Sequence, residues 1–165
     1  MKGDSMKKKH LPLYGVGPIY VGIIFILTIL FSILSYMKIL PYLQFDIMKI
    51  PFIILGVLLI ILGIFIWYLG AIKSKLDDNI IKNKLVTTGI YSYTRNPLYT
   101  AFIFIFTGIL FIMNNLYLLI LPFIYWLLLT IFMINTEEKW LKDLYGREYI
   151  EYCKRVNRCI PIKKK

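Results

Sequence analysis

Four stretches of the chain are almost wholly apolar, residues 16–36, 51–72, 97–113 and 116–134, and the polar positions collect between and after them. A helix crosses a hydrocarbon core with about 20 such residues, so the pattern predicts an all-α integral membrane protein with about four transmembrane helices. The third stretch is the shortest and is expected to tilt, to thin the bilayer locally or to be partly embedded. From Glu137 the pattern changes. Trp140, Leu141, Leu144, Tyr145, Tyr149, Tyr152, Cys153 and Val156 recur at helical spacing, while Lys139, Lys142, Asp143, Arg147, Glu148, Glu151 and Lys154 fill the opposite face. This predicts a C-terminal amphipathic interfacial helix, interrupted near Gly146, that roofs the membrane surface.

The turns between these elements bring distant residues together. Asn114 and Asn115 leave so short a connection that the third and fourth spans form an antiparallel hairpin. Asn135, Thr136, Glu137 and Glu138 are thereby expected at the same membrane surface as the segment from Arg95 to Tyr99. In the second span Gly56, Gly63 and Gly70 recur every seven residues, near one helix face, where a neighbouring helix approaches closely. Asp77, Asp78 and Asn79 read as a solvated turn, and the first span, with Gly17 and Pro18 near its start, as a packing helix without chemistry.

Composition agrees: 59% of the residues are hydrophobic, and the mean hydropathy is +0.69. Charge adds an orientation. The net charge is +11, and the basic residues gather before the first span (Lys2, Lys7, Lys8, Lys9), between the second and third (Lys73, Lys75, Lys82, Lys84, Arg95) and after the fourth. Only Lys38 and Lys49 lie in the first loop, so the positive-inside rule puts both termini and the 73–95 loop in the cytoplasm, at a cell membrane expected to be prokaryotic. These lysines flank spans without a nucleic-acid-binding motif, so they are read as topological determinants that touch membrane lipid. The first apolar run is as long as a full span and no small-residue cleavage pattern follows it, so a secretory signal is not expected. His10 sits in a basic tail, and Cys153 and Cys159 have no ligand set beside them, so neither metal nor disulfide is expected.

Candidate chemistry concentrates at 89–99, Gly-Ile-Tyr-Ser-Tyr-Thr-Arg-Asn-Pro-Leu-Tyr. Asn96 suits an N-cap and Pro97 a first helical position. The free N–H groups of that helix start favour an anion, with Arg95 as a fixed cation beside them. Tyr91, Tyr93 and Tyr99 offer aromatic faces to a planar ring or a cation.

This segment, followed one hairpin later by Glu-Glu-Lys-Trp-Leu-Lys-Asp-Leu-Tyr-Gly-Arg-Glu-Tyr-Ile-Glu-Tyr-Cys-Lys-Arg-Val-Asn-Arg-Cys-Ile-Pro, resembles the isoprenylcysteine carboxyl methyltransferase and phospholipid methyltransferase superfamily over roughly residues 85–161. The resemblance implies one membrane methyltransferase domain over 1–165: a basic tail at 1–15, two N-terminal spans within 16–72 and a cofactor-binding catalytic half at 85–161. It also implies S-adenosylmethionine as cofactor, with contacts at Lys84, Leu85, Val86, Tyr91, Asn96, Pro97, Leu98 and Tyr99, and Glu137 on the cofactor's amino group. Two positions depart from the family pattern. Asn96 stands where histidine is usual, and Met133 stands where the prenyl-protein enzymes carry an arginine for the substrate carboxylate.

Methyl transfer from a sulfonium is an in-line displacement that depends on positioning. A carboxylate acceptor would be oriented by Arg95, or by Arg155 and Arg158 in reserve. An amine on a lipid headgroup would give a proton to Glu138. Either way the acceptor is lipophilic, a small molecule or a lipidated substrate. An NADPH-dependent reductase of the sterol-reductase type and a non-enzymatic membrane scaffold stand as alternatives.

Overall fold

A computed structural model describes residues 15–161; the basic tail through His10 and the lysines at 163–165 lie outside the described residues. Seven α-helices follow one another: α1 (Gly17–Tyr36), α2 (Lys49–Tyr68), α3 (Leu76–Ile81), α4 (Pro97–Ile112), α5 (Leu121–Asn135), α6 (Glu137–Tyr145) and α7 (Arg147–Arg155). Proline lies in the first turn of α1, α4 and α5, where its missing N–H leaves no bond unmade.

Among the described residues three helical stretches, Gly17–Tyr36, Asp46–Lys73 and Leu116–Tyr145, are long and apolar enough to cross a membrane, and Pro97–Ile112 is a shorter apolar helix. The chain is a multi-pass, all-α membrane protein. With 16 residues, α4 is about 24 Å long, short of a hydrocarbon core of about 30 Å. The apolar part of the last stretch ends at Asn135. Thr136, at φ −128° and ψ −86°, breaks the helix there, and α6 begins on the two glutamates beyond the span.

The core lies between α1, α4 and α5, around Tyr20, Ile24, Leu110, Leu118, Leu121, Tyr125, Leu129 and Met133. Its tyrosines and Thr28 pair with one another, as hydrocarbon favours: Tyr20 Oη donates to the Tyr125 carbonyl at 3.0 Å, and the Thr28 and Tyr125 hydroxyls lie 2.8 Å apart. At the far end Asn115 ties the hairpin down. Its Nδ2 donates to Ser35 Oγ and the Pro41 carbonyl, and its Oδ1 accepts from the Tyr117 N–H.

The glycine face of α2 meets α4. A Cβ added at Gly56 would sit 2.5 Å from the Gly108 carbonyl oxygen, one at Gly63 2.7 Å from that of Ala101, and one at Gly70 3.1 Å from the Pro97 ring. At Gly56 and Gly63 only hydrogen fits between the two backbones. Beyond α2 the helix widens into a π-helical turn, Leu69–Lys73, and the Gly70 carbonyl accepts from Ser74 Oγ and from Tyr91 Oη. Asp77, Asp78 and Asn79 are not a turn as the sequence suggested but the body of α3, whose N-terminal position suits the two aspartates. The C-terminal helix breaks at Gly146 (φ +54°, ψ −123°), a conformation essentially reserved for glycine.

Candidate active site

The segment at 89–96 is held from both sides. A 3₁₀ turn, Gly89–Ser92, turns Tyr91 inward, and Tyr152 Oη of α7 donates to the Tyr91 carbonyl. After α7 the chain becomes extended and runs beside the start of α4 as a strap. The Arg95 N–H donates to the Asn157 carbonyl at 2.9 Å, and the Asn96 N–H to that of Arg158 at 3.1 Å. Thr94 Oγ1 also donates to the Arg158 carbonyl, and Thr100 Oγ1 to that of Cys159. These bonds close a long loop on a few backbone groups and fix α7 over the helix start.

Charge is locked beneath this roof. Glu138, 5% exposed, receives Arg158 Nε at 2.7 Å and Arg158 Nη2 at 3.2 Å, while Arg95 Nη2 stands 3.2 Å from the same carboxylate. Burial acts to raise the Glu138 carboxyl, but the hydrogen bond from Arg158 and the charges of Arg95, Arg158 and Lys142 outweigh it and hold the group below its usual 4.5. Glu138 is a structural anion. Arg95 Nη1 donates to Tyr149 Oη and to Cys153 Sγ, so the Cys153 thiol is a hydrogen-bond partner.

Beside this network lies a cavity of about 470 Å³, within the range of about 300–1,000 Å³ usual for small-molecule sites. The starts of α1 and α4, α3, residues 84–86 and the inner faces of α6 and α7 line it. Glu137 reaches it from the start of α6 with a constrained carboxylate: Oε1 accepts from Tyr99 Oη at 2.6 Å and from the Val16 N–H at 3.0 Å. Burial pushes this carboxyl above the usual range, and the two hydrogen bonds pull it part of the way back. Tyr91, Tyr99, Trp140, Tyr145, Tyr149 and Tyr152 give the wall an aromatic surface, suited to a flat ring or a cation.

Lys84, Leu85, Val86, Tyr91, Asn96, Pro97, Leu98, Tyr99 and Glu137 all line this one cavity. Arg95 lines it too, with its outer nitrogens committed to the network. The other expected catalytic groups stand elsewhere. Arg158 and Glu138 face each other outside the cavity lining, and Arg155 is exposed, because the chain leaves helical geometry at Val156 and sends 155 and 158 in different directions. Tyr93 is 45% exposed and is also absent from the lining. Asn96 occupies the N-cap position without capping; its Nδ2 donates to the Arg158 carbonyl at 3.1 Å. Met133, at the place of the family arginine, is wholly buried in the core.

The sequence did not signal the share taken by α1 and α3. Gly15, Gly17, Pro18 and Val21, and Leu76, Asp77 and Ile80, belong to the wall. An apolar span carries no chemical signature, and Val16 acts through its backbone N–H.

A curated relative, protein-S-isoprenylcysteine O-methyltransferase of Saccharomyces cerevisiae, is 37% identical over 91 residues, which are 51% of this chain and 38% of that protein. Protein-S-isoprenylcysteine O-methyltransferase B of Arabidopsis thaliana is 32% identical over 81 residues, 48% of this chain and 41% of that protein. The alignments thus span about two fifths of each relative. Both relatives are eukaryotic, so the prokaryotic setting expected from the sequence has no support among them. No solved structure matches the chain. The family profile described as phospholipid methyltransferase matches residues 51–148, from the first turn of α2 to the second residue of α7, and on that match the chain belongs to the phospholipid methyltransferase family.

Proposed function

We propose that this protein is a membrane methyltransferase that draws on S-adenosylmethionine and acts on a lipophilic acceptor at the cytoplasmic face. The observation that carries the reading is the gathering of nine separated residues, from Lys84 to Glu137, on one cavity at the polar end of the spans. The donor set fits the cofactor. Glu137 is a buried carboxylate for its ammonium, the N–H groups of Leu98 and Tyr99 at the start of α4 suit its carboxylate, and the tyrosine wall suits its adenine or sulfonium. When bound, that cofactor supplies an electrophilic methyl group.

The chain's own residues then exclude water and fix the angle of approach. Trp140, Leu141 and Tyr145 of α6 cover the cavity, and Val21 and Phe102 form its apolar side towards the spans. A low-polarity wall favours a reaction in which an anionic acceptor and a sulfonium neutralise each other. A carboxylate acceptor needs no base, and this favours it over an amine. Glu138, itself outside the cavity lining, is held ionised by Arg95 and Arg158, and Glu137 is assigned to the cofactor. A carboxylate on an isoprenylcysteine, as named for the two relatives, is the acceptor of choice. The clustering of lysine and arginine on the loops at this end supports the cytoplasmic orientation.

The test is a titration of purified protein in detergent with S-adenosylhomocysteine, and with NADPH in parallel. Saturable binding of the homocysteine compound is the expected result. Binding of NADPH alone would replace the methyltransferase reading with a reductase, and binding of neither would leave a scaffold.

A further inference from the structure

Glu137 is held from a helix that the family profile does not reach. Its Oε1 accepts from Tyr99 Oη at 2.6 Å and from the Val16 N–H at 3.0 Å. Val16 stands at the entry of α1, 121 positions earlier in the chain and outside the matched residues 51–148. The residues on either side of Val16 are glycines, and each meets a different member of the pair. A Cβ added at Gly15, where φ is +46°, would overlap Glu137 Oε1, and one added at Gly17 would stand 3.1 Å from Tyr99 Oη. Bare main chain therefore comes close enough for its N–H to reach the carboxylate. Both donors go to Oε1, and among the described residues none goes to Oε2. Gly15, Gly17, Tyr99 and Glu137 all line the cavity.

We infer that the entry of α1, from Gly15 to Gly17, and the hydroxyl of Tyr99 are positioning elements: together they clamp one oxygen of Glu137 and keep the ionised carboxylate turned so that the other meets a ligand's ammonium group. This rests on the cofactor reading above and extends it to a span whose apolar sequence carries no chemistry of its own. It gives the Tyr99 side chain a role through Glu137 instead of on the ligand. Burial acts against the charged form of Glu137, and the two hydrogen bonds oppose that effect. Without them the carboxyl takes up a proton more readily, and a neutral carboxyl loses most of its attraction for a cation. The seating of the first span at the membrane surface thereby becomes a determinant of ligand affinity.

Wild type, Tyr99→Phe, Gly17→Ala and Gly15→Ala are titrated in detergent with S-adenosylhomocysteine and with 5′-methylthioadenosine, which keeps the nucleoside and lacks the amino-acid end. Gly22→Ala, whose added Cβ meets nothing within 4 Å, is the control on the same helix. Tyr99→Phe removes one hydrogen bond to a charged group and should weaken S-adenosylhomocysteine about tenfold, while methylthioadenosine binds as it does to wild type. Its loss of S-adenosylhomocysteine affinity on acidification should also begin at a higher pH, because a bond that lowers the Glu137 carboxyl is gone. Gly17→Ala and Gly15→Ala should show the same selective loss, larger in Gly15→Ala, and Gly22→Ala should show none. If Gly15→Ala fails to fold because of its left-handed backbone, Tyr99→Phe and Gly17→Ala decide. Wild-type affinity in those two variants, an acid limit that stays in place in Tyr99→Phe, or equal losses of both nucleosides would make the entry of α1 a packing element only. Each of these overturns the inference and leaves the cofactor reading standing. Wild-type protein that binds neither nucleoside overturns the cofactor reading, and the inference with it.

Discussion

Replacing Glu138 with alanine removes the anion between two arginines. Arg158 is 22% exposed and can turn towards water, but Arg95 is only 8% exposed and would be left as a buried cation with Tyr149 Oη and Cys153 Sγ for partners. Deleting one member of a buried ion pair costs about 3–5 kcal/mol. The exposed flank of Arg158 argues for the lower end, about 3 kcal/mol. For a chain of this length each kcal/mol moves the melting temperature by about 2–4 °C, so Glu138→Ala should melt about 6–12 °C below wild type. Intrinsic fluorescence in detergent, reporting on Trp140 of the same helix, reads the transition. Substituting both buried partners, Arg95→Met with Glu138→Leu, should recover much of the loss, because the charge left unpaired is then only that of Arg158, which can turn towards water. The carboxyl of Glu138 lies below its ordinary 4.5 in the folded protein. Its contribution is therefore present above that value and lost as the pH falls through the lower folded value, and the gap between wild type and Glu138→Gln should narrow only in that acid window. An unchanged melting temperature in the single variant, or strictly additive losses in the double variant, would refute the account of the network.

Three further outcomes are expected. Glu137→Gln should weaken S-adenosylhomocysteine by about 1.5–3 kcal/mol, as for a hydrogen bond to a charged group, measured by calorimetry. Because burial raises the Glu137 carboxyl, wild-type affinity should begin to fall on acidification above the ordinary carboxylate range, as the proton displaces the ammonium, and the glutamine variant should lack that step. Gly56→Val should cost about 1–3 kcal/mol through clash with the Gly108 backbone, whereas Gly22→Ala, with nothing within 4 Å, should be neutral or slightly stabilising; paired melting curves distinguish them.

The spans, their boundaries to within a few residues and the hairpin were legible because apolar length and a two-asparagine turn leave little choice. The gathering of Glu137 with the 89–99 segment followed from that hairpin alone. What the sequence hid was decided by backbone groups and by long-range pairs. Asn96 looked like a cap by type and position, and only the Arg158 carbonyl explains why it is not one. Arg155 and Arg158 looked equivalent until the extended strap separated them. Asp77 and Asp78 looked like a turn because six residues are too few for a helical period to stand out, and α1 contributes through Gly15, Gly17 and a main-chain N–H that any residue but proline would supply.

The strap has a consequence for the order of biosynthesis. Residues 156–159 follow all four apolar segments in the chain, so a ribosome releases the spans to the bilayer before it makes the residues that bind Thr94, Arg95, Asn96 and Thr100. A nascent chain can have its hairpin inserted and its helices paired while the mouth of α4 is still unclosed. The start of α4 therefore gains its backbone partners after the topology is set, as a late event, and a chain arrested before Asn157 would have its spans complete yet lack the groups that bind the Arg95 and Asn96 N–H.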